Sequence, residues 1–286
     1  MLSEDFIPAN YNTKNAQPGF YVNFEGYREQ VPDSPLLKQF VGTFYEITTL
    51  NSHSQAVPVV PDGCMDIVFI SDTVSTRSYI LRTAPSLLGM YVNSDRYVLG
   101  IRFKPVGISK FIHCDFQNDL SYMVPLQEYL GRNAFSPIEM NRKCLTFSQK
   151  CHLLEKILLR NLLTDSTSLE LTFNIANFII MKKGIVSIDD LSREYFYSPR
   201  YINKLFNQNV DMSPKHFCEV IQLQNVLNYL CHSDDKIVNI AATAGYYDQS
   251  HMNHVIQKLL HTTSSKLRSN EFFEKNNEKL DIKYIY

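Results

Sequence analysis

A chain of 286 residues, 44% apolar and with a formal charge of −1, has material for two packed cores and lacks the polar, strongly charged composition of a disordered protein. Its start, MLSEDFIPANYNTKN, has neither the basic residues nor the apolar run of a secretory signal, and no stretch approaches the roughly 20 apolar residues of a membrane span. The reading is a cytoplasmic globular protein with no membrane partner. Six cysteines, Cys64, Cys114, Cys144, Cys151, Cys218 and Cys231, show no CxxC and no Cys/His pairing at zinc-finger spacing. They read as reduced, mostly buried thiols and not as a disulfide or metal framework.

From about Phe44 to Phe103 the apolar residues fall in short runs rich in β-branched and aromatic side chains: Ala56-Val57-Pro58-Val59-Val60, Ile67-Val68-Phe69-Ile70, and Tyr97-Val98-Leu99-Gly100-Ile101-Arg102-Phe103. Turn residues such as Pro61-Asp62-Gly63 and Ser71-Asp72 separate them, which predicts a β-rich domain. Between Ser136 and Leu163 the period changes. Cys151, Leu154, Ile157, Leu158 and Leu162 share one side of a helix, with Lys150, Glu155 and Arg160 toward water. Thr164-Asp165-Ser166-Thr167-Ser168 reads as a polar linker. The next helix, about Leu169 to Lys183, carries Phe173, Ala176, Asn177 and Ile180 on one side and stops at Gly184.

Ser187 and Asp190 form a capping box that starts a short helix. Ser198-Pro199, an N-cap followed by proline, starts a second one with Ile202, Leu205 and Phe206 on its apolar face. The plan recurs about 50 residues later: Ile240-Ala241 matches Leu191-Ser192, Tyr246 matches Tyr197, and Met252, Val255 and Ile256 match Ile202, Leu205 and Phe206, with Asp248 as the second N-cap. A small residue in the first helix, Ser192 or Ala241, leaves room for the crossing helix. Tyr197, Tyr246, Leu205 and Phe206 are read as core. Between the two units, Ser213-Pro214 starts a longer helix with Phe217, Val220, Ile221, Gln224, Leu227 and Leu230 or Cys231 on one face. At about 1.5 Å per residue it holds the units about 25 Å or more apart, a spacing suited to successive major grooves about 34 Å apart.

Ile240-Ala-Ala-Thr-Ala-Gly-Tyr-Tyr-Asp-Gln-Ser-His-Met252, Ser198-Pro199-Arg200-Tyr201 and Thr263-Ser-Ser-Lys-Leu-Arg268 together resemble the signature of the AraC/XylS regulators. The chain departs from that pattern at Phe196 and His261, where glycine is usual, at Gln222, where arginine is usual, and at Ser264, where proline is usual. Pro61-Asp62-Gly63-Cys64-Met65-Asp66-Ile67-Val68-Phe69 and Gly100-Ile101-Arg102-Phe103-Lys104-Pro105 resemble a β-rich sensor domain often joined to such regulators. The resemblance implies an α+β organisation in four parts. A β-rich domain, cupin-like or a related barrel, spans 1–135, and a helical dimerisation or linker region spans 136–168. An all-α domain with two helix-turn-helix units joined by a linker helix spans 169–270, and a tail spans 271–286.

It also implies base readers on the exposed side of the second helix of each unit: Arg200, Tyr201, Asn203, Lys204 and Asn207 in the first, and Gln249, Ser250, His251, Asn253 and His254 in the second. Arginine and lysine suit guanine, and asparagine suits adenine, because their donors and acceptors match those base edges. The function implied is a sequence-specific DNA-binding transcription regulator, activator in preference to repressor. Its N-terminal domain senses a small molecule or carries the dimer contact. The partners are double-stranded DNA, an effector of unspecified chemistry, RNA polymerase for an activator, and a second copy of the chain; no cofactor or metal is called for.

From Asp165 onward, 13 lysines and arginines face 14 aspartates and glutamates, a low positive balance for phosphate contacts. That balance and the polar second unit leave open a module that pairs with another regulator and binds DNA weakly or not at all. In the β-rich part, Cys64 and Asp66 beside the Pro61-Asp62-Gly63 turn are candidate ligand contacts and Arg102 or Lys104 a candidate anion site, against a reading of turn and edge-strand charges. An enzyme fits poorly. A metal cupin needs clustered histidines where the N-terminal half has only His53, His113 and His152, and a cysteine-based alkyl transferase needs an activated thiolate, for which Cys64 has no basic neighbour in sequence.

Overall fold

In the computed structural model, residues 26–48, 55–72, 74–92, 96–113, 116, 121–129, 145–164, 166–269 and 283–285 are described. Strands β1 (Tyr27–Gln30), β2 (Val41–Thr48), β4 (Met65–Ser71), β5 (Thr76–Leu81), β7 (Tyr97–Phe103) and β8 (Met123–Pro125) form one sheet in the order β1-β2-β7-β4-β5-β8, with every pair antiparallel. Strands β3 (Gln55–Val59), β6 (Leu88–Val92) and β9 (Lys283–Ile285) form a second sheet, in which β9 runs parallel to β6.

The long strands read as unbroken apolar runs because both faces of the larger sheet are covered. Side chains alternate across a strand, so Ile67, Phe69, Leu99, Ile101 and Phe103 enter the core shared with the helices. Val68, Val98, Tyr45 and Leu81 point the other way, onto Val59 and Leu88 of the second sheet. Gly100 permits this packing. A Cβ there would sit 2.1 Å from the Tyr45 ring, which lies across it and donates its hydroxyl to Asp66 at 2.8 Å. At the β4–β5 connection the Asp72 carboxylate accepts from the Val74 and Ser75 amides at 2.8 and 2.6 Å, an Asx-type turn.

Helix α1 (Phe147–Arg160) starts at a Thr146/Gln149 capping box. Its stripe of Cys151, Leu154, Ile157 and Leu158 is buried in the main core, so this chain's own sheet occupies the face read as a possible dimer contact. Two residues assigned to its wet side are not there. Glu155 is buried and accepts from the Asp33 amide. Lys150 lies 4.1 Å over the Tyr97 ring and donates to that hydroxyl, which in turn donates to Glu46. The interior strands β2 and β7 and the β1–β2 connection bring these partners, and helical period alone carries no trace of them. The cysteine reading falls partly outside the described residues, at Cys114 and Cys144. Cys64, Cys151 and Cys218 are buried free thiols, and burial pushes Cys151 and Cys218 up to about 12.

Helix α2 (Thr167–Met181) is capped by Ser166, the middle residue of the expected linker, and so starts two residues before the expected Leu169; Asp165 lies outside the described residues. Its buried stripe is Leu169, Thr172, Phe173, Ile175, Ala176 and Ile179, while Asn177 and Ile180 are half-buried, so the packed face is rotated from the expected one. The helix ends as a Schellman motif. Gly184 at φ +77 donates its amide to Ile179 O at 2.9 Å, and Lys183 donates to Ile180 O at 2.9 Å.

Helices α3 (Ile188–Tyr195), α4 (Pro199–Asn209), α5 (Pro214–His232), α6 (Ile237–Thr243), α7 (Gln249–Leu260) and α8 (Ser264–Arg268) complete the helical part. Residues 270–282, which hold most of the tail, lie outside the described residues, and 283–285 is a strand. Among the described residues the two parts share a continuous apolar core. Phe40 and Phe103 of the sheet domain share one core with Phe173, Phe206 and Phe217, with the Phe40 and Phe173 rings 5.5 Å apart.

Candidate nucleic-acid interface

The first unit is α3 and α4. The Ser187 hydroxyl accepts from the Asp190 amide at 3.1 Å, and the Asp190 carboxylate accepts from the Ser187 amide at 3.0 Å. The Ser187 hydroxyl donates to the same carboxylate at 2.6 Å, and that bond, the Ser187 amide bond and the ion pair with Arg193 hold the Asp190 carboxyl below the usual carboxylate range. The turn to α4 passes through Phe196 in the left-handed region, and Ser192 donates to Tyr197 O at 2.7 Å. Ser198 caps α4 by accepting from the Tyr201 amide at 3.3 Å, with Pro199 at the first helical position. Leu191, Ile202, Leu205 and Phe206 form the buried seam.

The second unit, α6 and α7, turns through Gly245 at φ +81 and is capped by Asp248, which accepts from the His251 amide at 2.7 Å. Ile240, Ala241, Tyr246, Met252, Val255 and Ile256 are buried as the repeat predicts. Tyr197 departs from the reading as core. It is 41% exposed, and its ring lies 5.2 Å from that of Tyr201. The left-handed Phe196 and the Ser192 bond present its ring along the helix surface instead of beneath it.

Helix α5 is a strut of 19 residues, about 28 Å long at 1.5 Å per residue. Phe217, Val220 and Ile221 pack with the first unit, and Leu223, Val226, Leu227 and Leu230 with the second. Gln224, expected on the apolar face, is half-buried and donates to Pro61 O at 2.6 Å. The side chain of Cys231 lies outside the described set.

On α4, Arg200, Tyr201, Lys204 and Asn207 are exposed. Residues 200, 204 and 207 fall at helical spacing along one face, opposite the buried seam. Asn203 is half-buried and its amide donates to Pro199 O at 2.8 Å. On α7, Ser250, His251 and His254 are exposed and Gln249 is half-buried. Asn253 is half-buried too, and its carbonyl oxygen accepts from the Ser264 amide and hydroxyl at 3.1 and 2.8 Å, which ties α7 to α8. Gln257, exposed on the same side as His254, continues the stripe. It stands at the place of Asn207 under the 50-residue offset of the repeat, a signal present in the sequence but not read from it. The neighbouring Lys258 is held by Glu219 at 2.7 Å.

The sheet-domain candidates behave differently. Arg102 lies on β7, a central strand, buried between Asp62 and Asp66, so it is neither an edge-strand charge nor an open anion site. Lys104 donates to Lys38 O at 2.6 Å. Cys64 and Asp66 are buried.

A helix-turn-helix domain model matches residues 191–270, and a model described as a domain of unknown function, DUF6597, matches residues 29–118. No curated protein matches the chain. Among solved structures it is similar to the C-terminal domain of AraT, a response regulator from Geobacillus stearothermophilus, at 15% identity over 41% of this chain and 98% of that one, with a TM-score of 0.35. It is also similar to the xylose-binding transcription activator XylR, at 20% identity over 37% of this chain and 27% of that one, with a TM-score of 0.31. An apo ToxT variant from Vibrio cholerae is 11% identical over 86% of this chain and 98% of that one, with a TM-score of 0.39.

Two capped two-helix units on a common strut, one repeating the other, define the C-terminal third as a double helix-turn-helix domain of a DNA-binding transcription regulator. It is a helix-turn-helix domain of the AraC/XylS type, behind a β-rich domain of a distinct family. No helix among the described residues is long and apolar enough to cross a membrane.

Proposed function

We propose that α4 and α7 read DNA sequence in the major groove and that the chain acts in the cytoplasm as a sequence-specific activator, by binding and not by catalysis. The observation that carries this is the exposed polar stripe on α4, Arg200, Lys204 and Asn207, whose opposite face is fully committed to the core. Arg200 and Lys204 match guanine, and Asn203 and Asn207 match adenine. The stripe on α7 carries no fixed positive charge, so Gln249, Ser250, His251 and His254 contribute less, and Asn253 mainly positions α8. RNA polymerase is the partner that activation requires. A second copy binds through a surface other than the stripe of α1, which is buried. The sheet domain takes a small-molecule effector or carries the contact to the second copy; an effector acts only if its affinity differs between two arrangements of the chain.

The test is selection from a randomised duplex library at two salt concentrations. The expected result is a motif with two half-sites about 10 base pairs apart, better defined in the half read by α4. Arg200→Ala is expected to lose about 1–3 kcal/mol of discrimination at one base position. Equal weakening on every sequence would mark Arg200 as a phosphate contact. Absence of any enrichment or salt-sensitive binding would overturn the reading in favour of a module that pairs with another regulator.

A further inference from the structure

The connection between β5 and β6, residues 82–87, crosses from the sheet domain onto both helix-turn-helix units. Arg82 donates through Nε and Nη2 to the two carboxylate oxygens of Asp211, each at 2.7 Å, a bidentate pair 129 residues apart in sequence. Both side chains are largely buried, and the Arg82 guanidinium lies 4.9 Å over the Phe116 ring. The buried Thr83 hydroxyl donates to Val210 O at 3.3 Å. Val210 is the C-cap of α4, and Asp211 follows it in the left-handed region at φ +61.

Two residues on, Pro85 O accepts from His216 Nε2 at 3.0 Å in the first turn of α5; the other ring nitrogen of His216 faces Glu219. The segment ends with the Leu87 amide donating to Leu259 O, at 2.7 Å, in the last turn of α7. The Leu87 side chain is buried in the core of the second unit. Six consecutive residues thus hold the C-terminal end of α4, the start of α5 and the C-terminal end of α7.

Each unit packs on the strut through its own apolar core. A second attachment off the strut's axis adds a constraint on how the units turn about it and on how the strut bends. From Thr83 to Leu87 an extended chain spans at most about 14 Å, so the strap fixes how far apart the two helix ends sit. The bonds themselves are suited to direction. A planar guanidinium on both oxygens of a carboxylate sets angle as well as distance, whereas a largely buried ion pair returns little net stability once desolvation is counted.

We infer that the strap of residues 82–87 is a positioning element that sets the separation and relative orientation of α4 and α7, so that the sheet domain determines which half-site spacing the protein accepts. This rests on the reading of α4 and α7 as DNA-reading helices. Arg82, Thr83 and Leu87 are positioning residues; they act through Asp211, Val210 and Leu259 and do not touch DNA.

The experiment titrates the full chain, Arg82→Ala and Asp211→Asn against duplexes carrying the selected half-sites at a series of spacings, and against single half-sites. Asparagine keeps the tolerance for the left-handed region at 211. The wild type is expected to prefer one spacing by about tenfold or more, and the variants to keep single-half-site affinity while that preference falls below about threefold. Variants that retain the wild-type spacing profile, or that weaken equally on every duplex and on single half-sites, overturn the inference. If the wild type selects no duplex, the reading of the helices fails, and amide exchange without DNA decides whether the strap couples the units. Arg82→Ala then speeds exchange at Leu87 and at the last turns of α4 and α7 together, and unchanged exchange at those places overturns the coupling.

Discussion

Phe196 ends α3 at φ 59 and ψ 31 with its ring 92% exposed, so it pays for a left-handed backbone without any packing in return. A non-glycine residue there costs roughly 1–2 kcal/mol. Glycine relieves that cost but adds freedom to the unfolded chain. Phe196→Gly is therefore expected to raise stability by about 1 kcal/mol, read as a higher denaturant midpoint with unchanged slope; a lower midpoint would mean the ring contributes to packing. The equivalent turn of the second unit already has glycine at 245, while His261, at φ 53, carries the same burden as Phe196 at the end of α7. A second residue-scale effect concerns pH. Asp66 is buried against the Tyr45 hydroxyl and Arg102. Burial pushes its carboxyl up to about 7, against the pull of the Tyr45 bond. In the unfolded chain it titrates near 4, at about 3.9. Between those values the folded chain holds a proton that the unfolded chain has released. The contribution is therefore complete below about 4 and is lost as pH rises toward about 7, at up to about 1.4 kcal/mol per pH unit. Asp66→Asn removes this slope, so its stability is expected to rise relative to the wild type from pH 4 to pH 7 in chemical denaturation. A difference constant across that range would show the carboxylate ionised beside Arg102.

The elements divide by how local their causes are. Helix starts at Ser187, Ser198, Ser213 and Asp248 were legible because an N-cap is a contact between a side chain and an amide three residues on, and all four make that contact. The repeat placed both buried seams, since Met252, Val255 and Ile256 inherit the positions of Ile202, Leu205 and Phe206. Faces of helices were less secure. A period shows that a stripe exists, but the neighbours decide its width and centre, which is why Asn177 and Ile180 are only half-buried and Glu155 is fully so. Strand order is not local at all. Arg102 looked like an open charge because chain order does not reveal that β7 lies between β2 and β4, with Asp62 and Asp66 waiting for it. The strap was invisible for the same reason. Nothing within residues 82–87 themselves marks a strap, and the groups that give them meaning lie well over a hundred residues further along the chain. The reader positions on α4 and α7 came with the resemblance and the repeat, and the same repeat, carried one step further, reaches Gln257.

At the scale of the whole molecule the two domains behave as one packing unit. The core that contains the sheet residues Phe44, Phe69 and Phe103 continues through Phe173 to Phe206 and Phe217, and the second unit's core takes in Val60 and Leu87 from the sheet side. A boundary of this kind, with a continuous apolar core and buried polar bonds such as the Arg82–Asp211 pair across it, differs from the loosely packed polar interface that lets domains move independently. Cooperative unfolding follows from it, because separating the domains exposes much of the apolar surface that stabilises each one. The full chain is expected to unfold in a single transition that coincides when followed by helix content and by tyrosine fluorescence. A fragment from residue 166 onward is expected to bind a hydrophobic dye and to unfold at a lower denaturant concentration. Two resolved transitions in the full chain, with the later one matching the fragment, would show instead that the helix-turn-helix pair is stable without the sheet domain, and that effector control would have to pass through a loose tether and not through a shared core.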